Sequence, residues 1–131
     1  MRAMAVARMA MVSLDCAEPV PLAEFWAALL GGEMIGSGDD VRAVLTDTVM
    51  VGAIRVPDYR PPAWPDGDPP KHIHLDLAVR DLDEAAAEAT RLGATRAGDQ
   101  PQPDQWLVFL DPAGHPFCLT ANIPFDPPGA G

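Results

Sequence analysis

Two stretches of the chain alternate apolar and polar residues, and two others repeat apolar residues at helical spacing. In "AVARMAMVSLDC", Val12 and Leu14 point to one side of an extended strand, and Met11, Ser13 and Asp15 to the other. In "KHIHLDLAV" the sides are Ile73, Leu75, Leu77 and Val79 against His72, His74, Asp76 and Ala78. The apolar sets are expected to pack on helices. The mixed sets are then left to line the opposite, concave face. In "PLAEFWAALLGG", Leu22, Phe25, Trp26, Leu29 and Leu30 form a helical stripe that Gly31 or Gly32 ends. In "RDLDEAAAEATRLG", Asp81 is an N-cap with Glu84 three residues on, and Leu82, Ala85, Ala86, Ala89 and Leu92 make the stripe. Gly93 supplies the left-handed stop.

The order of elements is said twice. The first half runs strand, helix, then "DDVRAVLTD" and "TVMVGAIRV"; the second runs strand, helix, then "DQWLVFLD" and "HPFCLTA". "LDPAGHPF" is a hairpin signal with Pro112 and Gly114 as turn residues. Between the halves lies "PDYRPPAWPDGDPP", residues 57–70, whose prolines exclude helix and central strand and make it extended and stiff. The tail "IPFDPPGAG" is expected to anchor at Phe125 and then fray. One domain over 1–131 is expected, with module one at about 6–56 and module two at about 71–123.

Composition narrows the partners. The chain has 131 residues, 48% apolar and 21% charged, as expected of a soluble globular protein. Its net charge is −10 and Lys71 is its only lysine, so a phosphate backbone or an anionic membrane surface would be repelled. "MRAMAVARMAMVSL" resembles a signal peptide faintly, but Arg8 interrupts it and Asp15 stands where cleavage belongs, so it reads as a strand. Cys16 and Cys118 form no CxxC, and the reducing cytoplasm is the expected compartment. No GxSxG, HExxH or EF-hand pattern occurs, and the glycines of "LGGEMIGSG" follow a helix rather than a strand.

Taken together, "HLDLAVRDLDEAAAEATRLGA" and "DPAGHPFCL" in a twice-repeated βαβββ order resemble the vicinal oxygen chelate superfamily. This is the group of glyoxalase I, extradiol dioxygenases and bleomycin resistance proteins, and the likeness is greatest to its glyoxalase-like domains. The resemblance implies an α+β fold of two tandem βαβββ modules whose curved sheets form a cup, commonly in a homodimer. It also implies metal ligands at the first and last strand of each module. Those positions fall on Met11 and Ile54 in module one, and on His74 and Cys118 in module two. Only His74 is a typical ligand type. Met11 and Ile54 offer no anionic oxygen, and His74 with Cys118 falls short of three protein ligands. Asp76 shares the strand face of His74 at about 6–7 Å, a spacing at which shared chelation is possible but awkward.

The expected function is therefore a binding protein without a catalytic metal. It would hold a small, partly apolar or aromatic molecule, as sequestration or resistance proteins do. Met11, Met50 and Ile54, with Met9, make module one's lining greasy, while Ser13, His74 and Asp76 supply polar contacts. Trp64 and Trp106 are stacking platforms, and Cys118 is expected to line the ligand cup as a small, chemically inert strand residue. The alternative is a glyoxalase-type lyase, isomerase or dioxygenase-related enzyme. In it His74 is a divalent-metal ligand or general base and Asp76 its catalytic partner. His115 is expected to serve the hairpin turn, and His72 to be solvated.

Overall fold

The computed structural model describes residues 4–126. The first residues of the signal-like stretch and the end of the tail expected to fray lie outside them. In chain order the elements are β1 (Met11–Cys16), α1 (Pro19–Leu30), β2 (Glu33–Ile35), β3 (Val41–Leu45), β4 (Met50–Arg55), β5 (Leu75–Ala78), α2 (Leu82–Leu92), β6 (Thr95–Arg96), β7 (Trp106–Leu110) and β8 (Pro116–Thr120). They make two βαβββ modules, with sheets ordered β1-β4-β3-β2 and β5-β8-β7-β6. In each sheet the first strand lies parallel to the last, which a helical crossover permits, and the other neighbours are antiparallel.

Local chemistry fixes the helix ends. The Asp81 carboxylate accepts the Glu84 backbone N–H at 2.8 Å, and Gly93 ends α2 with φ of 119°. α1 begins without a side-chain cap; its early prolines lack the N–H groups that would need one. Among the described residues no helix is long and apolar enough to cross a membrane.

Both helices pack on the same side of the sheets, over one core drawn from both modules. Leu14, Leu22, Phe25, Trp26, Val44 and Val51 of module one join Ala89, Leu107, Phe109, Phe117 and Leu119 of module two. Trp26 is the wedge. Its ring meets Phe117 edge-on at 5.2 Å, and its Nε1 donates to Asp111 Oδ2 at 3.0 Å. Asp111 Oδ1 accepts the backbone N–H groups of Ala113 and His115 at 2.9 Å each, which shapes the β7–β8 turn. Burial pushes the Asp111 carboxyl above its ordinary range, opposed by His115 and by these donors. The turn's Gly114 takes φ of 89°, and Pro61 of the linker lies where a β-carbon would go.

Two strand expectations need correction. β1 starts at Met11, and Val6 and Met9 stand exposed before it, because the paired strand β4 begins opposite Met11 at Met50. β5 starts at Leu75 rather than Lys71. Its partner β8 begins at Pro116, which has no N–H to extend the ladder. Ile73 therefore never reaches the core and is 75% exposed, not one of the helix-facing set. Trp26→Phe keeps a ring but removes the N–H that satisfies Asp111. We expect it to lower unfolding free energy by about 1–3 kcal/mol in urea titrations.

Candidate ligand-binding cleft

The open face of module two is built by register. Asp76 on β5 pairs with Cys118 on β8, which pairs in turn with Val108 on β7. All three project away from the helices, and His74, one residue ahead of β5, joins them. Cys118 is 4% exposed and packs with Ala97 and Val108, against which Trp64 and Trp106 lean. This is a second, smaller apolar cluster, on the side of the sheet that the alternation left polar.

Trp64 reaches it from the proline-rich linker. Its Nε1 donates to the Asp99 carbonyl at 3.0 Å, and its ring stands 6.1 Å from that of His74, near perpendicular. Lys71 Nζ lies 5.0 Å from the indole centre and donates to the Pro65 carbonyl at 3.2 Å. The Asp99 carbonyl is in place because Gln100 clamps its loop to β7. Gln100 Nε2 donates to the carbonyls of Ala97 and Val108, and its Oε1 accepts the Val108 N–H. Pro101, Thr120, Asn122 and Ile123 complete a cleft of about 480 Å³ with Trp64, His74, Asp76, Trp106 and Cys118. That is within the usual size of a small-molecule site. Gln100, Thr120 and Asn122 carried no sequence signal, because a lone polar residue in a loop or at a strand end is common.

Electrostatics divide the polar groups. His74 Nε2 lies 3.3 Å from Asp76 Oδ1, both partly exposed. The Cys118 thiol is pushed up to about 11, first by burial and then by the charge and hydrogen bond of Asp76. Both effects favour the neutral thiol over the thiolate.

The residues expected to form one site fall into two groups. Trp64, His74, Asp76, Trp106 and Cys118 share the cleft. Met11, Met50 and Ile54 lie on the open face of module one, where Met11 pairs with Met50 and Asp15 with Ile54. They do not line the cleft. Ser13 lies with His72, His74, His115, Tyr59 and Arg60 in a crevice of about 390 Å³ between β1 and the approach to β5. His115 does more than serve a turn: its Nε2 lies 2.6 Å from the Asp15 carbonyl, joining the hairpin of module two to β1. Another crevice, of about 490 Å³, lies between the start of α1 and the β7–β8 turn. Its Asp111 and Tyr59 are already engaged, the tyrosine hydroxyl donating to the Ala113 carbonyl at 2.6 Å.

A pair of βαβββ modules with helices on one side of the sheets and an open cleft on the other defines the vicinal oxygen chelate class. Solved structures agree on the fold. The chain is 17% identical to the genomically encoded fosfomycin resistance protein FosX of Listeria monocytogenes, with a TM-score of 0.65 over 90% of this chain and 91% of that one. That protein was solved as a glutamate-to-glutamine mutant with Mn(II) and 1S,2S-dihydroxypropylphosphonic acid. A glyoxalase/bleomycin resistance protein/dioxygenase family enzyme from Burkholderia phytofirmans is also 17% identical, at a TM-score of 0.65 over 86% of this chain and 97% of that one. FosX of Mesorhizobium loti is 14% identical, at 0.64 over 90% and 93%. No curated protein sequence matches the chain. Residues 11–120 match the family described as glyoxalase-like domain, and the chain belongs to that family.

The superfamily implies a metal, and the four implied positions can be tested against the donors present. Met11 and Ile54 offer neither carboxylate nor imidazole and lie outside the cleft of His74 and Cys118. That set does not fit a hard ion such as Mn(II), which is held by oxygen and imidazole donors.

Its raised pKa makes a direct prediction for Cys118. In chelator-treated native protein at neutral pH, mass spectrometry should find iodoacetamide reacting about a hundredfold more slowly there than at a thiol of pKa 9.0. Denaturation should restore the ordinary rate.

Proposed function

We propose that this member of the family binds a small, partly aromatic molecule in the module-two cleft and does no chemistry through a hard catalytic metal. The observation that carries the reading is the pairing of two indoles, Trp64 and Trp106, with the polar groups of His74, Asp76, Thr120 and Asn122 around one cleft. Indole faces and edges take up planar apolar surface, and a few polar groups fix its orientation. Sequestration or resistance by binding is the role such a cleft suits. A homodimer belongs to the same proposal. It is supported by the exposed Met11, Ile35, Val41 and Leu45 on module one's sheet, apolar side chains that a second copy would cover.

A second reading, a glyoxalase-type lyase or isomerase, is favoured by one contact. Asp76 at 3.3 Å from His74 Nε2 can orient the imidazole, so that the other ring nitrogen moves a proton at a bound substrate.

The test is a panel of planar aromatic compounds against chelator-treated protein, read by thermal shift and tryptophan fluorescence. Binders should raise the melting temperature, and Trp64→Ala should weaken them roughly tenfold. A panel without binders, or affinities unchanged in both Trp64→Ala and Trp106→Ala, would sink the binding reading. Turnover of a bound compound, lost in His74→Gln with binding retained, would favour the enzyme.

A further inference from the structure

We propose that the molecule taken up by the module-two cleft is a planar aromatic cation, with its ring on the indoles and its charged N–H donors on Asp76. This names the ligand class of the proposed binding role and rests on that reading. Asp76 is the only acid among the described residues that line the cleft, and no lysine or arginine is among them. Among the described residues, none comes within ion-pair reach of its carboxylate either; the basic neighbour there is His74. With the imidazole neutral, the cleft is negative, on a chain whose net charge is −10.

Desolvation decides what can cover that charge. Asp76 is half-exposed, and beside it stand the buried Cys118 and two indoles that lean on the same apolar cluster. A ligand seated here takes water away from the carboxylate. An uncharged ring would leave it desolvated without a counter-charge, and an anion would add repulsion. A cationic N–H group restores both the hydrogen bond and the charge balance. A carboxylate has about four lone-pair sites, so His74 and Cys118 do not exhaust it. Amidinium and guanidinium groups present two parallel N–H donors that match its two oxygens.

The walls and the rim favour the same class. Lys71 Nζ lies 5.0 Å from the Trp64 ring centre, so this indole already holds one cation. Lys71 itself is not among the residues that line the cleft. Indole attracts cations more strongly than the other aromatic side chains do, and Trp106 offers a second. At the rim, Asn122 Nδ2 donates to Gln105 Oε1 at 3.0 Å, which leaves the Asn122 Oδ1 as an acceptor. Thr120 Oγ1 is already taken by the Asn122 backbone N–H at 3.1 Å. Asp76 and Asn122 thus present acceptors, and the ligand has to bring the donors.

The experiment uses one ring in three charge states: 2-naphthamidine as the cation, 2-naphthamide as the neutral form and 2-naphthoate as the anion. Each is titrated into the full, chelator-stripped chain at mildly alkaline pH and read by tryptophan fluorescence and calorimetry. We expect the amidine to bind roughly tenfold more tightly than the amide, and the naphthoate to bind weakest. Added salt should weaken the amidine and spare the amide. Asp76→Asn should erase the amidine's advantage and leave the amide's affinity as it was. Asp83→Asn removes an exposed acid of α2 outside the cleft and should leave the advantage intact, which controls for the chain's overall charge. Trp64→Ala should weaken amidine and amide together. Far-ultraviolet circular dichroism checks that the variants fold, and the salt dependence is read on the unaltered chain. Equal affinities for amidine and amide would overturn the cation assignment. So would an advantage that survives Asp76→Asn, or one that Asp83→Asn reduces as much. In those cases, amide binding that depends on Trp64 leaves the proposed binding role standing. A chain that binds none of the three defeats both.

Discussion

The Trp26 indole sits where the two modules share their core, and the rest of the molecule is arranged around it. Its ring belongs to the helix of module one, yet its edge meets Phe117 on the last strand of module two. Its N–H serves Asp111, whose other oxygen organises the β7–β8 turn. A buried carboxylate with three donors is stable only while all three are in place. One interaction thus ties helix to hairpin and module to module. The same hairpin carries His115 to Asp15 and Ala113 to Tyr59, so β1 and the start of the linker are positioned from it as well.

That arrangement leaves the two open faces unequal. Module one presents Met11, Val41 and Leu45 to solvent. Module two is partly covered by its own chain, because the linker folds back and lays Trp64 beside His74. A stiff, proline-rich segment suits this task, since little conformational freedom is lost when it docks. The result is a cleft with aromatic walls, a polar rim and a buried sulfur, and not a uniformly greasy cup.

Membership of the glyoxalase-like family gives the scaffold but not the chemistry, since function lies in the site grafted onto a fold. Here the strand positions that the resemblance assigns to metal ligands mostly hold other residue types. Met11 and Ile54 are apolar there and Cys118 is a thiol, which leaves His74 as the one typical ligand type. A change in donor type alters which ion and which reaction a site can support far more than a change in backbone does.

The repeat, both helices with their caps, the hairpin at "DPAGHPF" and the α+β class were legible in the sequence because each rests on short-range rules. Apolar spacing sets a helix face, a side chain two or three residues away caps it, and a glycine ends it. The grouping of His74 with Asp76 was legible for the same reason, as residues two apart on an extended segment share a face. Strand ends were not, because they depend on where a partner strand begins: Pro116 stops the ladder that would have included Ile73. Nor was the division of the site. Trp64 and Gln100 reach the cleft through loops whose course is fixed by distant carbonyls, and Met11 and Ile54 are kept from it by the module that holds them. Alternation told which residues leave the core. Only the tertiary structure decided which of those meet again on the other side, because that depends on contacts between residues far apart in the chain.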